Sequence, residues 1–520
     1  MPRNRLMDAL AGLAAAAVAL GVAELLAALA GAASLVVSVS NVVVDRTPGP
    51  VVKWGIDLLG TNDKPFLLTT VTAVSLLLGF VLGPAAGRRP VVGQVAFAVF
   101  GLAGVLAGAS DPLTGYGAAF WIAVPAALVG WLTLRALLDL ATPEASASSA
   151  VMPGRGVAGR RKFLALAGTA TGGAVVAAVG GQMFGSRVDV EAERASVALP
   201  EIGGSAPPQN VGLMVEGLPP YITPNEDFYR IDTAFVVPRV DASGWRLKVH
   251  GMVDTPYTLT FADLAEMATL EECVTLSCVS NEVGGDLVGT AIWIGVPLAT
   301  ILDRAGVQPG ATQIVGRSVD GFTVGFPTAV AVDGRASMVA IGMNGTPLPA
   351  EHGFPARLVI PGLYGYVSAT KWLSEIELTR LEDFDAYWIP RGWSKEAPIK
   401  TQSRIDVPRG NNVNAGRIPI AGVAWGGIRD ISKVEVRVTP IEDDREANPE
   451  WLPARLSDAL SDSSWRQWVV EWDARPGTYN VEVRATDGEG VTQTSEEARP
   501  DPDGATGWHM RRVTVREAGA

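Results

Sequence analysis

The sequence has 520 residues and a formal net charge of −12 at pH 7, so it is too long for one core and lacks the basic footprint of a nucleic-acid-binding protein. Its two cysteines, Cys273 and Cys278, and its three histidines, His250, His352 and His509, are too few for a disulfide scaffold, a zinc-finger array or an iron–sulfur cluster. No histidine precedes His250, which excludes a histidine-ligated haem in the preceding residues.

Apolar runs rich in Ala, Leu and Val are concentrated before residue 185. A membrane-spanning helix needs about 20 predominantly apolar residues. We therefore predict about five spans: Leu10–Ala30, Phe66–Leu82, Val91–Ala107, Ala118–Leu138 and Phe163–Met183. The stretch Ser34–Leu59 is interrupted by Asp45, Arg46 and a Pro–Gly–Pro sequence, and we predict an interfacial loop there.

Basic residues set the expected orientation of these spans, because cytoplasmic loops carry an excess of Lys and Arg. They occur before the first span, between the second and third, and between the fourth and fifth: Arg3, Arg5, Arg88, Arg89, Arg155, Arg160, Arg161 and Lys162. The short loop between the third and fourth spans has Asp111 and no cation. This pattern predicts a multi-pass protein of the cell membrane with a cytoplasmic N-terminus and an extracytoplasmic chain after Gly185.

The sequence Gly159–Leu164 (GRRKFL), ahead of an apolar run, resembles a twin-arginine export signal. The two arginines could equally anchor the cytoplasmic end of a helix, and the two interpretations are compatible. Within the spans the ionisable exceptions are Glu24 and Arg135, and such scarcity disfavours an ion transporter. It favours a membrane anchor over a subunit that passes electrons to quinone.

After a linker rich in Pro and Gly (Pro200–Pro220), short strands and helices alternate. We predict strands at Trp245–Val253 and Val274–Ser280, and helices at Thr260–Met267 and Pro297–Ala305. The glycines and prolines between these short elements favour a mixed α+β domain.

From about Ile418 the pattern changes to strands alone, with alternating apolar positions such as Val434, Val436 and Val438. The predicted strands are Ile418–Ala424, Ser432–Thr439, Arg466–Asp473, Thr478–Thr486 and His509–Val515. They favour an immunoglobulin-like β-sandwich without the cysteine pair of true immunoglobulin domains. We therefore expect three domains: a membrane anchor over residues 1–189, a mixed domain over 190–405 and a sandwich over 406–520.

Cys278 lies at the end of an apolar strand and precedes a polar loop that contains Gly284 and Gly285. A strand end fixes the sulfur, and glycines let backbone N–H groups approach an anionic cofactor, so this is a suitable position for a soft-metal ligand. The alternative is an inert buried thiol, an interpretation that suits Cys273.

Three blocks in the same order resemble the sulfite-oxidase-type family of molybdopterin-dependent oxidoreductases, over about residues 225–515. The first resembles its molybdenum-ligating segment: Thr275–Asn281 (TLSCVSN), Gly284–Leu287 and Trp293–Leu298 (WIGVPL). The second resembles its pterin-binding segment: Met343–Pro349 (MNGTPLP), His352–Arg357 (HGFPAR), Pro361–Gly365 and Lys371–Leu373. The third resembles its C-terminal dimerisation domain: Gly422–Trp425, Ala485–Gly488 and Gly507–His509.

The resemblance implies that Cys278 ligates molybdenum and is the catalytic thiolate, while His352, Arg357 and Lys371 bind the pterin and its phosphate. A planar guanidinium and an ammonium point charge both suit a phosphate. Further cofactor-binding candidates are Asn281, Ser368 and Thr370, for which ordinary loop hydrogen bonding is the alternative, and Arg230. Arg230 belongs to Phe228–Arg230, which resembles the family's entry motif with its arginine displaced by one residue. His509 is expected to be structural.

The family's sulfite oxidases carry arginines just after the metal cysteine, where this chain has Glu282 and Val283. A carboxylate there would repel sulfite or nitrate. We therefore expect oxygen-atom transfer or another two-electron reaction on a different small substrate, with electrons exchanged with a separate partner or quinone. No haem or iron–sulfur cluster is expected, and a homodimer is a further possibility. The alternative function is a cofactor-free extracytoplasmic binding or assembly protein that retains the fold.

Overall fold

The computed structural model describes residues 4–141, 162–169, 171–176, 190–202, 211–441 and 449–517. The chain forms two compact units, Met1–Asp189 and Val190–Ala520.

The N-terminal unit is helical. Its helices include α1 (Arg5–Ala30), α2 (Leu35–Arg46), α3 (Gly49–Leu59), α4 (Asp63–Arg88), α5 (Pro90–Ser110) and α6 (Gly115–Ala141). Four of them, α1, α4, α5 and α6, are long and apolar enough to cross a membrane, and they contain the first four predicted spans. The side chain of Asn4 caps α1 by accepting a hydrogen bond from the backbone of Leu6, and Gly31 ends it in the left-handed conformation.

The prediction of a loop over Ser34–Leu59 is wrong, because α2 and α3 occupy almost all of it. Ser34 caps α2 by accepting a hydrogen bond from the Val36 backbone at 3.2 Å. The Pro–Gly–Pro sequence separates two helices rather than preventing them, since proline is tolerated in a helix's first turn. Ser38 of α2 then donates a hydrogen bond to Asp111 at 3.0 Å, which joins this helix to the end of α5.

The predicted fifth span begins as a helix over residues 162–169 and 171–176. This helix is shorter than a membrane span within the residues that the structure describes. The rest of the predicted span lies outside the described residues, as do Arg160 and Arg161 of the export-signal motif.

The second unit begins with the short helix α7 (Val190–Ser196) and continues as a mixed α/β fold with two five-stranded sheets. The first sheet has the order β2 (Tyr257–Thr260), β1 (Arg246–Gly251), β10 (Leu373–Thr379), β5 (Gln313–Ser318) and β6 (Thr323–Pro327), with β1 and β10 parallel. The second has the order β3 (Leu270–Ser277), β4 (Val288–Pro297), β7 (Met338–Met343) and β8 (Thr346–Pro347), with β9 (Arg357–Val359) also paired to β7. The intervening helices are α8 (Phe261–Met267), α9 (Leu298–Ala305) and α10 (Gly365–Ser368).

One large hydrophobic core joins these two sheets. Leu247, Ile314 and Ile376 enter it from the first sheet, and Val296 and Val339 enter it from the second. Each of these five side chains has no exposed surface. Burial of such a side chain contributes about 1.5–3 kcal/mol, so this core holds the framework on which the loops between strands are positioned.

Two further sheets follow and share a second core. One has the order β11 (Gln402–Val407), β13 (Gly416–Trp425), β17 (Arg466–Ala474) and β16 (Arg455–Leu456). The other has the order β12 (Asn412–Asn414), β19 (His509–Arg516), β18 (Gly477–Asp487), β14 (Ile431–Pro440) and β15 (Leu452–Pro453). We call this pair of sheets, residues 402–441 and 449–517, the C-terminal sheet pair. Alternate residues such as Val434, Val436 and Trp468 are fully buried between the sheets.

Candidate functional site

Cys278 lies one residue beyond the end of β3, in a closed loop. The Cys278 backbone N–H donates to the carbonyl of Leu287 at 2.9 Å, and its own carbonyl accepts from Asn281 at 3.1 Å. The Asn281 side chain accepts a hydrogen bond from the Leu287 backbone at 2.9 Å. The predicted strand Val274–Ser280 therefore starts earlier and ends sooner, because the backbone turns at Cys278 to close residues 278–287, which we call the cysteine loop.

The two cysteines have different surroundings, and neither forms a disulfide. Cys273 is buried in the large core, as expected of an inert thiol. Cys278 is partly exposed. Burial raises the pKa of the Cys278 thiol, and hydrogen bonds from the backbone and hydroxyl of Ser280 oppose that rise by stabilising the thiolate.

His352 ends a single 3-10 turn, Ala350–His352, and is 3% exposed. Its Nε2 lies 3.0 Å from the carbonyl oxygen of Asn225, to which it donates as a neutral imidazole. The edge of this ring also meets Phe228, with the centroids 5.6 Å apart. Burial lowers the pKa of His352 to about 4, so the side chain is neutral at physiological pH.

Arg357 is the first residue of β9 and is 4% exposed. Nη1 donates to the carbonyl of His352 at 3.1 Å, and Nε donates to that of Leu358 at 3.4 Å. The guanidinium carbon lies 4.9 Å from the ring centre of Trp293. Burial lowers the pKa of Arg357 to about 10, and no carboxylate within the described residues forms an ion pair with it. This cation has no compensating anion from the described chain.

Lys371 is buried beside Arg357 but does have a carboxylate partner. Its Nζ lies 3.1 Å from Asp232 Oδ2 and donates to the carbonyl of Glu351 at 3.1 Å. Burial lowers the pKa of Lys371 to about 8, although Asp232 acts in the opposite direction. Arg230 Nε lies 3.0 Å from the same Asp232 oxygen, with its side chain 46% exposed. Arg230 therefore lies at the outer side of this charged group.

The three smaller polar candidates differ in how their hydrogen bonds are satisfied. Asn281 Nδ2 and Thr370 Oγ1 are buried and have no hydrogen-bond partner among the described residues. Ser368 is fully buried, and its hydroxyl donates to the carbonyl of Tyr364 at 3.0 Å. Two of the three thus have donors available for a ligand, while the Ser368 proton is used within its own turn.

Shared electrostatic contacts bring together the charged and titratable members of the predicted site: Cys278, His352, Arg357, Lys371 and Arg230. Arg357 and Lys371 both lower the pKa of His352 after burial, and Arg230 acts on Lys371. Burial and the nearby Cys278 raise the pKa of the Tyr229 hydroxyl, and Arg357 opposes that rise. Tyr229 therefore links the cysteine loop to the group of buried cations.

Several residues at the site were not predicted from the sequence. Tyr229 lies in the segment Phe228–Arg230, so its position next to Arg230 was the available sequence signal. Tyr364 lies in the segment Pro361–Gly365. Its pKa is raised to about 12, mainly by burial and in part by Cys278. Asp232 and Asn225 carried no signal, because their roles depend on partners more than 100 residues away.

A metal at Cys278 would take few of its ligands from side chains. Within the described parts of the chain, no three His, Cys, Asp or Glu side chains converge in a way that could hold a metal ion. An organic cofactor that supplies the other ligands would meet this requirement, and its anionic groups would suit the neighbouring cations.

Comparison with known proteins identifies the family. Residues 234–388 match the family described as the oxidoreductase molybdopterin binding domain, a range that includes Cys278, His352, Arg357 and Lys371. Mitochondrial sulfite oxidase of Macaca fascicularis is 29% identical over 316 residues, which cover 51% of this chain and 56% of that protein. The chain thus spans a little over half the length of the sulfite oxidase that it matches.

Two further proteins are similar over other ranges. The uncharacterized oxidoreductase YuiH of Bacillus subtilis (strain 168) is 33% identical over 176 residues, which cover 34% of this chain and 85% of that protein. The crystal structure of the sulfane dehydrogenase SoxCD from Paracoccus pantotrophus has a TM-score of 0.49 and 21% sequence identity, and the match covers 57% of this chain and 84% of that one. From the matched domain and these sequence relatives, the chain belongs to the sulfite-oxidase-type family of molybdopterin-dependent oxidoreductases.

Proposed function

We propose that this protein is a membrane-anchored oxidoreductase that binds molybdenum–molybdopterin on the outer face of the membrane, with Cys278 as the protein ligand to the metal. The observation that carries the proposal is the buried guanidinium of Arg357, which has no carboxylate partner among the described residues. A buried charge is costly unless it is paired, so this position favours an anionic ligand.

The neighbouring groups fit such a ligand. Lys371 adds a second buried cation, and the unpartnered Nδ2 of Asn281 and Oγ1 of Thr370 are suitable hydrogen-bond donors. A cofactor-free binding protein would gain nothing from burying these unsatisfied groups together. That alternative is therefore disfavoured.

In this proposal each residue has a separate task. Arg357 and Lys371 hold the pterin phosphate, Asn281 and Thr370 donate hydrogen bonds to the cofactor, and Ser368 offers its oxygen lone pairs. The Nε2–H of His352 is held by Asn225. That contact fixes the ring orientation beside the cofactor.

At the outer side, Arg230 orients Asp232, and Asp232 orients Lys371. The hydrogen bonds from Ser280 favour the thiolate form of Cys278 and partly offset burial, which raises the pKa of its thiol. When bound, the cofactor supplies two-electron redox chemistry of the oxygen-atom-transfer type.

The substrate is proposed to be a small neutral molecule, such as a sulfoxide or an N-oxide. Glu282 follows the cysteine in the loop and is exposed, and Val283 brings no charge. A carboxylate at that position repels sulfite and nitrate, since like charges near a protein surface cost about 1 kcal/mol or more within a few ångström. Reduction of a sulfoxide consumes two electrons and two protons and releases water, and we propose a separate redox protein or quinone as the electron donor.

The four long apolar helices support the proposed anchor. The distribution of basic residues supports a cytoplasmic N-terminus, with the domain of residues 190–405 outside the membrane. Export by the twin-arginine route rests on Arg160 and Arg161, outside the described residues. The C-terminal sheet pair is proposed to be an immunoglobulin-like domain of the dimerisation type, which would make a homodimer.

Metal analysis of the full-length protein tests the proposal. Protein purified from cofactor-competent cells should contain about one molybdenum per chain, as expected for a single thiolate ligand. Cys278→Ser should contain none, whereas the matched variant Cys273→Ser should retain it because Cys273 belongs to the core. A folded wild-type protein without molybdenum would contradict the proposal.

The substrate class needs a separate assay. Reduced holoprotein should be reoxidised by a sulfoxide or N-oxide faster than oxidised holoprotein is reduced by sulfite. Glu282→Arg should raise the apparent affinity for sulfite. Sulfite turnover by the wild type that exceeds turnover of every neutral substrate in the panel would contradict the substrate assignment and leave the cofactor assignment standing.

A further inference from the structure

The strand that leads to Cys278 is bonded along its outer edge by a segment from the C-terminal sheet pair. The Thr275 backbone N–H donates to the carbonyl of Ser463 at 3.0 Å, and Thr275 Oγ1 accepts from the Trp465 backbone at 2.7 Å. The Ser461 hydroxyl donates to the carbonyl of Cys273 at 2.5 Å. Residues 461–465 therefore fix the position of β3 just before the cysteine.

The cysteine loop is held from its other side by the same sheet pair. Arg404 Nη1 donates to the carbonyl of Gly285 at 2.8 Å. The imidazole of His509 lies directly over Gly284, where an added Cβ would be 2.4 Å from the ring Cδ2. Gly284 has a φ of +78°, so this position accepts the close ring and the left-handed backbone only as glycine.

The two holding side chains are themselves fixed. Arg404 is 8% exposed, and its Nε lies 2.8 Å from Asp406 Oδ1. The Nδ1 of His509 accepts a hydrogen bond from the Ile405 backbone at 2.9 Å. Burial lowers the pKa of His509 to about 4, which keeps the ring neutral, and the acceptor role of Nδ1 places the remaining proton on Nε2.

Arg404 and His509 belong to β11 and β19, one strand from each sheet of the C-terminal sheet pair. The cysteine loop thus rests where the two sheets come together. We propose that Arg404 and His509 are positioning residues that hold the thiolate of Cys278 for its metal by fixing Gly284 and Gly285. This inference rests on the proposed role of Cys278 as the metal ligand.

The physical reason is the tolerance of a metal site. A ligand must be held to within about 0.5 Å of its productive position, and adjacent glycines offer little stiffness of their own. The loop closes on itself through Cys278 and Leu287, but Gly285 and Gly284 are restrained from outside by Arg404 and His509. Removing a group that orients a metal ligand typically lowers metal affinity about 10- to 100-fold.

The test uses the full-length protein with two measurements. The first is molybdenum retained by holoprotein during dilution and dialysis. The second is the alkylation rate of Cys278 in cofactor-free protein that carries Cys273→Ser, where Cys278 is the only thiol. We expect Arg404→Ala and His509→Ala to lower molybdenum retention about 10- to 100-fold. We also expect Cys278 to be alkylated several times faster in both.

Conservative and control variants separate positioning from general stability. His509→Asn retains an acceptor for the Ile405 backbone and should restore most of the retention lost in His509→Ala. Arg417→Ala removes an exposed arginine of the same sheet pair that is ion-paired to Glu471 at 3.5 Å and lies six residues along β13 from Val423, the strand partner of Arg404. It should leave both measurements unchanged.

A variant from the loop side covers the case in which Arg404→Ala or His509→Ala fails to fold. Gly284→Ala drives a methyl group into the His509 ring and should lower retention in the same way. In the double variant Gly284→Ala/His509→Ala the collision is absent, so the two losses should be less than additive. The backbone strain at Gly284 is the same in both backgrounds and cancels in the comparison.

Additive losses in that comparison would overturn the inference. So would wild-type retention and alkylation rates in folded Arg404→Ala and His509→Ala, or an Arg417→Ala defect of equal size. A wild-type protein that binds no molybdenum would instead refute the proposed function. The alkylation measurement on cofactor-free protein decides the positioning role of the sheet pair even in that case.

Discussion

The buried guanidinium of Arg357 allows a thermodynamic test that distinguishes an anion-binding residue from a structural one. The perturbation is Arg357→Met, which keeps the length of the side chain and removes its charge. The test compares cofactor-free and cofactor-loaded protein. A buried cation that binds an anionic ligand lowers the stability of the cofactor-free form and raises the stability of the loaded form.

The expected magnitudes follow from its surroundings. Lowering the pKa of Arg357 to about 10 corresponds to a cost of about 3 kcal/mol for keeping the buried guanidinium charged. The contact with Trp293 and the hydrogen bonds to two backbone carbonyls return roughly 2–3 kcal/mol. Arg357→Met should therefore change the stability of the cofactor-free protein by less than about 1 kcal/mol.

In the loaded protein the same substitution would remove the proposed charge-assisted hydrogen bonds to the pterin phosphate. We expect cofactor binding to weaken by about 2–4 kcal/mol, which is roughly 30- to 1,000-fold. Thermal unfolding of both forms and molybdenum retention across a dilution series measure the two effects. Arg317→Met is the matched control, because Arg317 is ion-paired to Glu377 at 2.5 Å in the first sheet and should affect both forms equally.

The opposite pattern of effects would contradict this prediction. If Arg357→Met destabilises cofactor-free protein by several kcal/mol and leaves molybdenum retention unchanged, Arg357 is a structural cation and carries no information about a ligand. The proposed function would then lose its main support.

Further predictions concern other side chains. The pKa of Lys371 is about 8, so its charge and the retention of the cofactor should fall as the pH rises above 8, whereas Lys371→Arg should retain molybdenum at pH 9. Failure of Lys371→Arg to extend the range would contradict this. Because the pKa of His352 is about 4 and the unfolded imidazole takes up its proton near pH 6.5, cofactor-free protein should lose up to about 3 kcal/mol of stability as the pH falls from 6.5 to 4. His352→Gln should reduce this loss in acid unfolding, and an identical acid profile would exclude it. Thr260→Ala removes the capping box of α8 and should cost about 1 kcal/mol without changing the molybdenum content.

Much of the secondary structure was predictable, because it depends on local pattern. The alternation around Val434 and Val436 predicted β14 within a residue at each end, and the helix predicted over Thr260–Met267 matches α8, for which Thr260 is the N-terminal cap. Pro–Gly–Pro was misleading near residue 49, since a proline that ends one helix also suits the first turn of the next. Local signals do not decide between a loop and a pair of helices at such a place.

The candidate site was predictable only in part, for a related reason. Cys278 and Arg357 stand in distinctive segments that can be read from the sequence. Their partners are set by tertiary contacts: Asp232 meets Lys371 from 139 positions away, and Arg404 meets Gly285 from 119 positions away. The residues around Asp232 and Arg404 in the sequence form no motif that would predict these contacts.

The hydrogen bond between Ser461 and Cys273 joins residues that are 188 positions apart, which has a consequence for protein synthesis. At about 5–20 residues per second, translation delivers residue 461 roughly ten to forty seconds after β3 has left the ribosome. During that interval the outer edge of β3 is without the hydrogen bonds from residues 461–465, and an unpaired strand edge can pair with other chains. Nascent chains should therefore acquire cofactor late, and truncation before Ser461 should yield aggregated protein rather than a smaller enzyme.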